Sequence, residues 1–185
     1  MKKLLPLLFL VSMLSTAYAQ LSQGGKPISL KKGNLLTSEV VFERMPAVDV
    51  ETLLAEDEIN YPDKSRPYRF GEKHFVSMSL DNSGQWETLP NGDRVWRVGV
   101  VSADAYTLNF IFENFYLPEG GKLHIFNSET GHVLGAFTNQ NNMESGWFGT
   151  FLLKGDQAVL EYYEPKSVLG QGHFELAELV HGYRD

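Results

Sequence analysis

Arg94-Val95-Trp96-Arg97-Val98-Gly99-Val100 decides the fold. Read at a period of two, it puts Trp96, Val98 and Val100 on one face and Arg97 on the other. Residues 106–112 repeat the pattern, with Leu108, Phe110 and Phe112 opposed to Thr107 and Asn109. Alternation of this kind marks strands with one buried face. Leu117-Pro118-Glu119-Gly120-Gly121 then turns the chain, and Lys122-Leu123-His124-Ile125-Phe126 begins another strand. Trp96, Val98, Leu108, Phe110, Phe112, Leu123 and Ile125 are the expected core.

Working outward, Pro90-Asn91-Gly92-Asp93 is the strongest hairpin signal, because Asn and Gly tolerate positive φ. It joins Trp86-Glu87-Thr88-Leu89 to the central run. Residues 74–80 alternate, with Val76, Met78 and Leu80 on one side, before the turn Asp81-Asn82-Ser83-Gly84. Downstream, Ser128-Glu129-Thr130-Gly131 closes a hairpin onto residues 133–138. Residues 139–146 read as a polar loop, and residues 147–153, 158–163 and 174–180 as strands. Turn signals recur every ~8–12 residues, the spacing of a sandwich or barrel. The expected fold is all-β: an antiparallel, jelly-roll-like β-sandwich of 7–9 strands, one domain over residues 36–185.

One short helix is expected near residues 50–57. Asp49 is its N-cap, Glu51 lies in its first turn, and Val50, Leu53 and Leu54 share a face. Residues 20–35 read as a flexible start, with residues 27–30 and 40–43 as short edge strands.

Residues 1–19 have the form of a signal peptide. Lys2 and Lys3 precede an apolar run, and Ala17-Tyr18-Ala19 is a small-x-small site for cleavage after Ala19. The expected location is secreted or periplasmic, with no membrane attachment after cleavage. Removing Lys2 and Lys3, and no acids, takes the formal charge from −7 to −9. An acidic surface argues against nucleic acid as a partner. The chain has no cysteine, so an exported domain must rest on its core and not on disulfides. Hydrophobic residues at 43% and aromatics at 12% suit a folded globule.

The sequence offers little chemistry. No serine sits in Gly-x-Ser-x-Gly, and no nucleophile is seen with a paired base. His74, His124, His132, His173 and His181 are scattered singly and lack zinc-site spacing. Asn139-Gln140-Asn141-Asn142 has amide oxygens but no carboxylate for calcium. No catalytic residue, metal or cofactor is therefore expected. Trp86, Trp147, Tyr162 and Tyr163 are candidates for an aromatic platform that stacks on a polysaccharide, with Trp86 and Trp147 as its main members. Lys64, Arg66 and Arg69, in a proline-bounded segment, are candidates for contact with a protein partner.

Several strings occur together: Gly24-Gly25-Lys26-Pro27-Ile28-Ser29, Pro67-Tyr68-Arg69-Phe70-Gly71-Glu72, residues 84–98, residues 115–123 and Leu160-Glu161-Tyr162-Tyr163-Glu164-Pro165. In this order they resemble the N-terminal, propeptide-like region of secreted serine proteases of the lysyl endopeptidase type. The resemblance implies a non-catalytic domain that assists folding, latency or targeting of a cognate serine protease domain, in cis or in trans. The trypsin-like catalytic domain of that family has no counterpart in residues 1–185, so no catalytic residue carries over. The alternative expectation is a carbohydrate- or surface-binding module.

Overall fold

The computed structural model describes residues 22–31, 33, 36–62, 65 and 67–184. The signal-peptide reading, Lys64 and Arg66 lie outside these residues. The described residues form a two-sheet sandwich of eleven strands with one α-helix. The strands are β1 (Phe42–Arg44), β2 (Gly71–Ser79), β3 (Gln85–Thr88), β4 (Arg94–Val101), β5 (Thr107–Tyr116), β6 (Lys122–Phe126), β7 (Val133–Phe137), β8 (Phe148–Gly149), β9 (Leu153–Lys154), β10 (Gln157–Glu164) and β11 (His173–Gly182). The helix, α1, spans Val50–Asn60.

The first sheet runs β1-β4-β10-β6-β7, with β3 also on β4; the second runs β2-β11-β5-β8, with β9 also on β5. The central run thus leaves the first sheet at β4, crosses to the second at β5, and returns at β6. Pairing is antiparallel except β1 on β4, which is parallel. Gly99 permits that parallel contact: a β-carbon there would lie 2.5 Å from the Phe42 ring. Gly92, at φ +87°, closes the expected hairpin between β3 and β4.

All seven expected core residues are fully or almost fully buried. Trp96 and Tyr162 of the first sheet meet Phe174 of the second edge-on, at centroid distances of 5.6 Å each. Phe112, Phe115 and Phe148 extend the same ring cluster. Such edge-on packing adds to area burial through the ring quadrupoles.

Three expectations need correction. The strand count among the described residues is eleven, above the expected 7–9; one of the additional strands arises because the expected strand over 147–153 is broken into β8 and β9, which pair with different parts of β5. Residues 27–30 form not an edge strand but a 3₁₀ turn, Ile28–Leu30. Residues 22–24 are not a loose tail: Ser22 Oγ donates to the Gly135 carbonyl, Gln23 N to that of Ala136, and Ala136 N to that of Gly24. These bonds extend the first sheet's pairing beyond β7.

Helix α1 begins as expected, with the Asp49 side chain accepting from Thr52 N. None of its residues is buried. Polar bonds at its far end hold it instead. Asp57 accepts from Arg69 Nε at 2.8 Å, Tyr183 Oη at 2.8 Å and Arg184 Nη2 at 2.7 Å. The helix is thereby tied to the approach to β2 and the end of β11.

Candidate functional site

The outer face of the first sheet carries the unexpected chemistry. Arg97 of β4 is paired in register with Glu161 of β10, and Glu161 with His124 of β6. Alternation assigns all three to solvent, yet all three are buried. The cover is the N-terminal segment, which crosses this face as a strap.

Glu161 anchors it. Oε1 accepts from Ile28 N at 2.5 Å, and Oε2 accepts from Ser29 N at 2.9 Å and Ser29 Oγ at 2.5 Å. The carboxylate thus takes the free amides at the start of the 3₁₀ turn, where negative charge is favourable. Arg97 donates to the Ser38 carbonyl, Ser38 Oγ and Glu87. Glu87 accepts from the backbone and hydroxyls of Thr37 and Ser38. Burial raises the Glu87 pKa, but these hydrogen bonds outweigh it and hold the group at about 2.

Between the strap and the β3–β4 hairpin lies a cleft of about 390 Å³. Gly24, Gly25, Lys26, Ile28 and Lys31 line it from the strap, Leu89, Asn91 and Asp93 from the hairpin, and Lys122, His124, Glu161 and Tyr163 from the sheet. Asp93 accepts from Tyr163 Oη at 2.5 Å and Lys166 N at 2.9 Å. The Tyr163 bond, chiefly, holds the Asp93 carboxyl below its ordinary value. Burial, then Asp93, pushes the Tyr163 phenol up to about 12. His124 is buried, and its Nε2 has no hydrogen-bond partner. Burial, then the charges of Lys122 and Lys31, depress its pKa to about 4.

A second constellation corrects the reading that no nucleophile has a paired base. Ser102 Oγ lies 2.8 Å from His181 Nδ1 and 3.2 Å from His74 Nε2. Sequence spacing could not reveal it, since the three residues come from β11, β2 and the end of β4. Ser102 is 0% exposed and His181 1%. Burial lowers both histidine pKa values. The hydroxyl is closed off from solvent, and the cluster ties the end of β4 to the second sheet.

The expected aromatic platform does not assemble. Tyr162 is wholly buried. The Trp86 ring packs edge-on to Tyr162 at 5.9 Å and is covered by the Arg94 guanidinium at 3.8 Å. Trp147 is exposed, but it precedes β8 in the other sheet. Trp86 thus packs against the core, and no ring contact joins it to Trp147 among the described residues. Among the candidate partner residues, Arg69 is engaged within the domain, bonding Asp57, Glu56 and the Leu53 carbonyl. The amides of the 139–142 loop are used internally too. Asn141 completes a capping box with Thr138, and Asn142 bonds both backbone groups of Leu117.

Among the described residues, no group of three or more His, Asp or Glu is placed to hold a metal ion. No helix among them is long and apolar enough to cross a membrane. No protein-family model matches the chain.

Proposed function

We propose that this chain is a non-catalytic, exported accessory domain of a serine protease of the lysyl endopeptidase type, acting on the folding, latency or targeting of the protease domain. The observation that carries the non-catalytic part is the burial of Ser102. The only serine seen beside a histidine base among the described residues is sealed between the sheets. Acyl transfer needs a nucleophile within reach of substrate and donors for the oxyanion. The ordered strings quoted above support the protease association. The leader-like start, Lys2 to Ala19, supports export.

The test adds the purified chain to a lysyl endopeptidase catalytic domain. Hydrolysis of a lysyl ester should fall, or the refolding yield of the catalytic domain should rise. Lys64→Ala tests whether the proline-bounded segment enters the specificity pocket. Neither effect at ~10–50 μM, where contacts of micromolar affinity would register, would reject the association. Ester turnover by the chain alone that disappears in Ser102→Ala would reject the non-catalytic reading.

A second reading, a ligand-binding module, is favoured by one observation: the cleft beneath the strap, with its buried, unpaired imidazole. It replaces ring stacking on a polysaccharide as the binding geometry.

A further inference from the structure

We propose that the cleft between the strap and the β3–β4 hairpin binds a small ligand through an acidic group, a carboxylate or a phosphate. This goes beyond the protease association and does not depend on it.

Size comes first. About 390 Å³ falls within the ~300–1,000 Å³ of small-ligand pockets. Sign follows. Lys26, Lys31 and Lys122 all line the cleft, in a chain whose net charge is −7. Asp93 and Glu161 line it as well, but protein donors occupy their oxygens. Asp93 accepts from Asn91 Nδ2, Tyr163 Oη and Lys166 N, and Glu161 from Ile28 N, Ser29 N and Ser29 Oγ. Their charge is directed into the hairpin and the strap. Lys26 and Lys122 are then positive groups that an anionic solute can meet.

The third argument is the imidazole. His124 is 6% exposed, and its Nε2 makes no hydrogen bond. Apart from a backbone hydrogen bond with Gly24 of the strap, which is too poor in geometry to satisfy Nε2, the buried ring has no protein partner, and buried polar atoms are nearly always better paired than this. The strap crosses close by: a β-carbon on Gly25 would lie 4.0 Å from Nε2. Nε2 is itself closed off, so a ligand reaches it only when the strap shifts at Gly24 and Gly25. Ile28, Leu89 and the Tyr163 ring supply an apolar wall for the remainder of the ligand.

Proton uptake follows from the same geometry. The free site disfavours the imidazolium through burial, Lys122 and Lys31, against a backbone hydrogen bond with Gly24; Glu161 across the strand and Asp93 face the same cleft. An anion between these groups reverses the field at the ring. The His124 pKa is then higher in the complex than in the free protein. Binding therefore tightens as pH falls from neutral toward 5.5.

Two-dimensional ¹H–¹⁵N spectra of the chain, titrated with glucuronate, inorganic phosphate and glucose, test the site. The expected result is saturable shifts at Gly25, Lys122, His124 and Tyr163 with one or both anions, and none with glucose. Which anion binds separates carboxylate from phosphate. Lys122→Ala, at an exposed side chain, should weaken binding several-fold, and binding of glucuronate, whose own charge does not change over this range, should be tighter at pH 5.5 than at 7.5. His124→Gln should abolish that pH dependence. If this variant does not fold, the ring-proton titration of His124 in the unaltered chain should move upward with ligand. The proposal is overturned by no saturable shift with either anion up to ~50 mM, a bound far weaker than millimolar affinity. Equal shifts with glucose, shifts unchanged in Lys122→Ala, or a His124 titration indifferent to ligand would overturn it as well.

Discussion

The two sheets finish their outer faces by different means. On the first, Arg97, Glu161 and His124 form a cross-strand row that the strap buries. On the second, the edge strand β2 leaves Lys73, Phe75 and Ser77 exposed, Phe75 at 78%. Both faces look polar or mixed in sequence. The difference is that the first has a cover able to pair its charges. The strap brings backbone amides and serine hydroxyls to Glu161 and Glu87, and the Ser38 carbonyl to Arg97. A charged row can be buried only on such terms, since an unpaired buried charge costs several kcal/mol.

Four substitutions or conditions sharpen this contrast, beginning with the largest effect. Phe110→Ala removes a wholly buried ring between the sheets and should cost ~3–5 kcal/mol in denaturant melts. A loss below about 1 kcal/mol would mean the inter-sheet core is not the main source of stability.

Glu161→Ala should cost ~1–3 kcal/mol, because it strands the Ile28 and Ser29 amides under the strap. Hydrogen exchange gives the decisive readout. Exchange at residues 22–31 should quicken far more than at β5 or β11. Uniform change across both sheets would show that the strap is no separate unit.

Acid should act in two stages. His124, His74 and His181 are held neutral, chiefly by burial, with folded pKa values below the ordinary value of 6.5. Between those values and 6.5 the unfolded chain binds more protons. Stability from keeping them neutral is complete above about pH 6.5 and declines toward about pH 4, the His124 value. Glu87 acts later: its contribution, present above its ordinary 4.5, is lost as pH falls toward about 2. Denaturant midpoints at pH 7.5 and 5 should differ, and His124→Gln should narrow the gap. Equal midpoints at the two pH values would contradict the burial of these rings.

Phe75→Ser, on the uncovered sheet, should change stability by no more than ~0.5 kcal/mol. A larger loss would reveal that β2's outer face is covered in solution.

Much of the inner architecture was legible beforehand. Period two assigned Trp96, Val98, Phe110 and Ile125 inward, and the Pro-Asn-Gly-Asp turn located the β3–β4 hairpin. The expected platform loses two of its rings because alternation does not say which aromatics the core takes: Tyr162 is buried and Trp86 packs against it. Trp86 and Trp147 fall on different sheets, and Tyr162 faces inward between them. The cleft was hidden for a related reason. His124 and Lys122 lie nearly a hundred residues from Lys26 and Gly25, and no local signal links them.

By itself, then, the amino-acid sequence determined the strand periodicity, the turn positions, the start of the helix at Asp49 and the apolar face of each central strand. These follow from local sterics and from a two-residue repeat that only one packing satisfies. The tertiary structure alone decided which strands became neighbours and which polar face the strap covered. It also decided that Ser102 would meet two histidines at a buried position. Those outcomes depend on contacts between distant segments, where desolvation is offset by partners that the local sequence does not name.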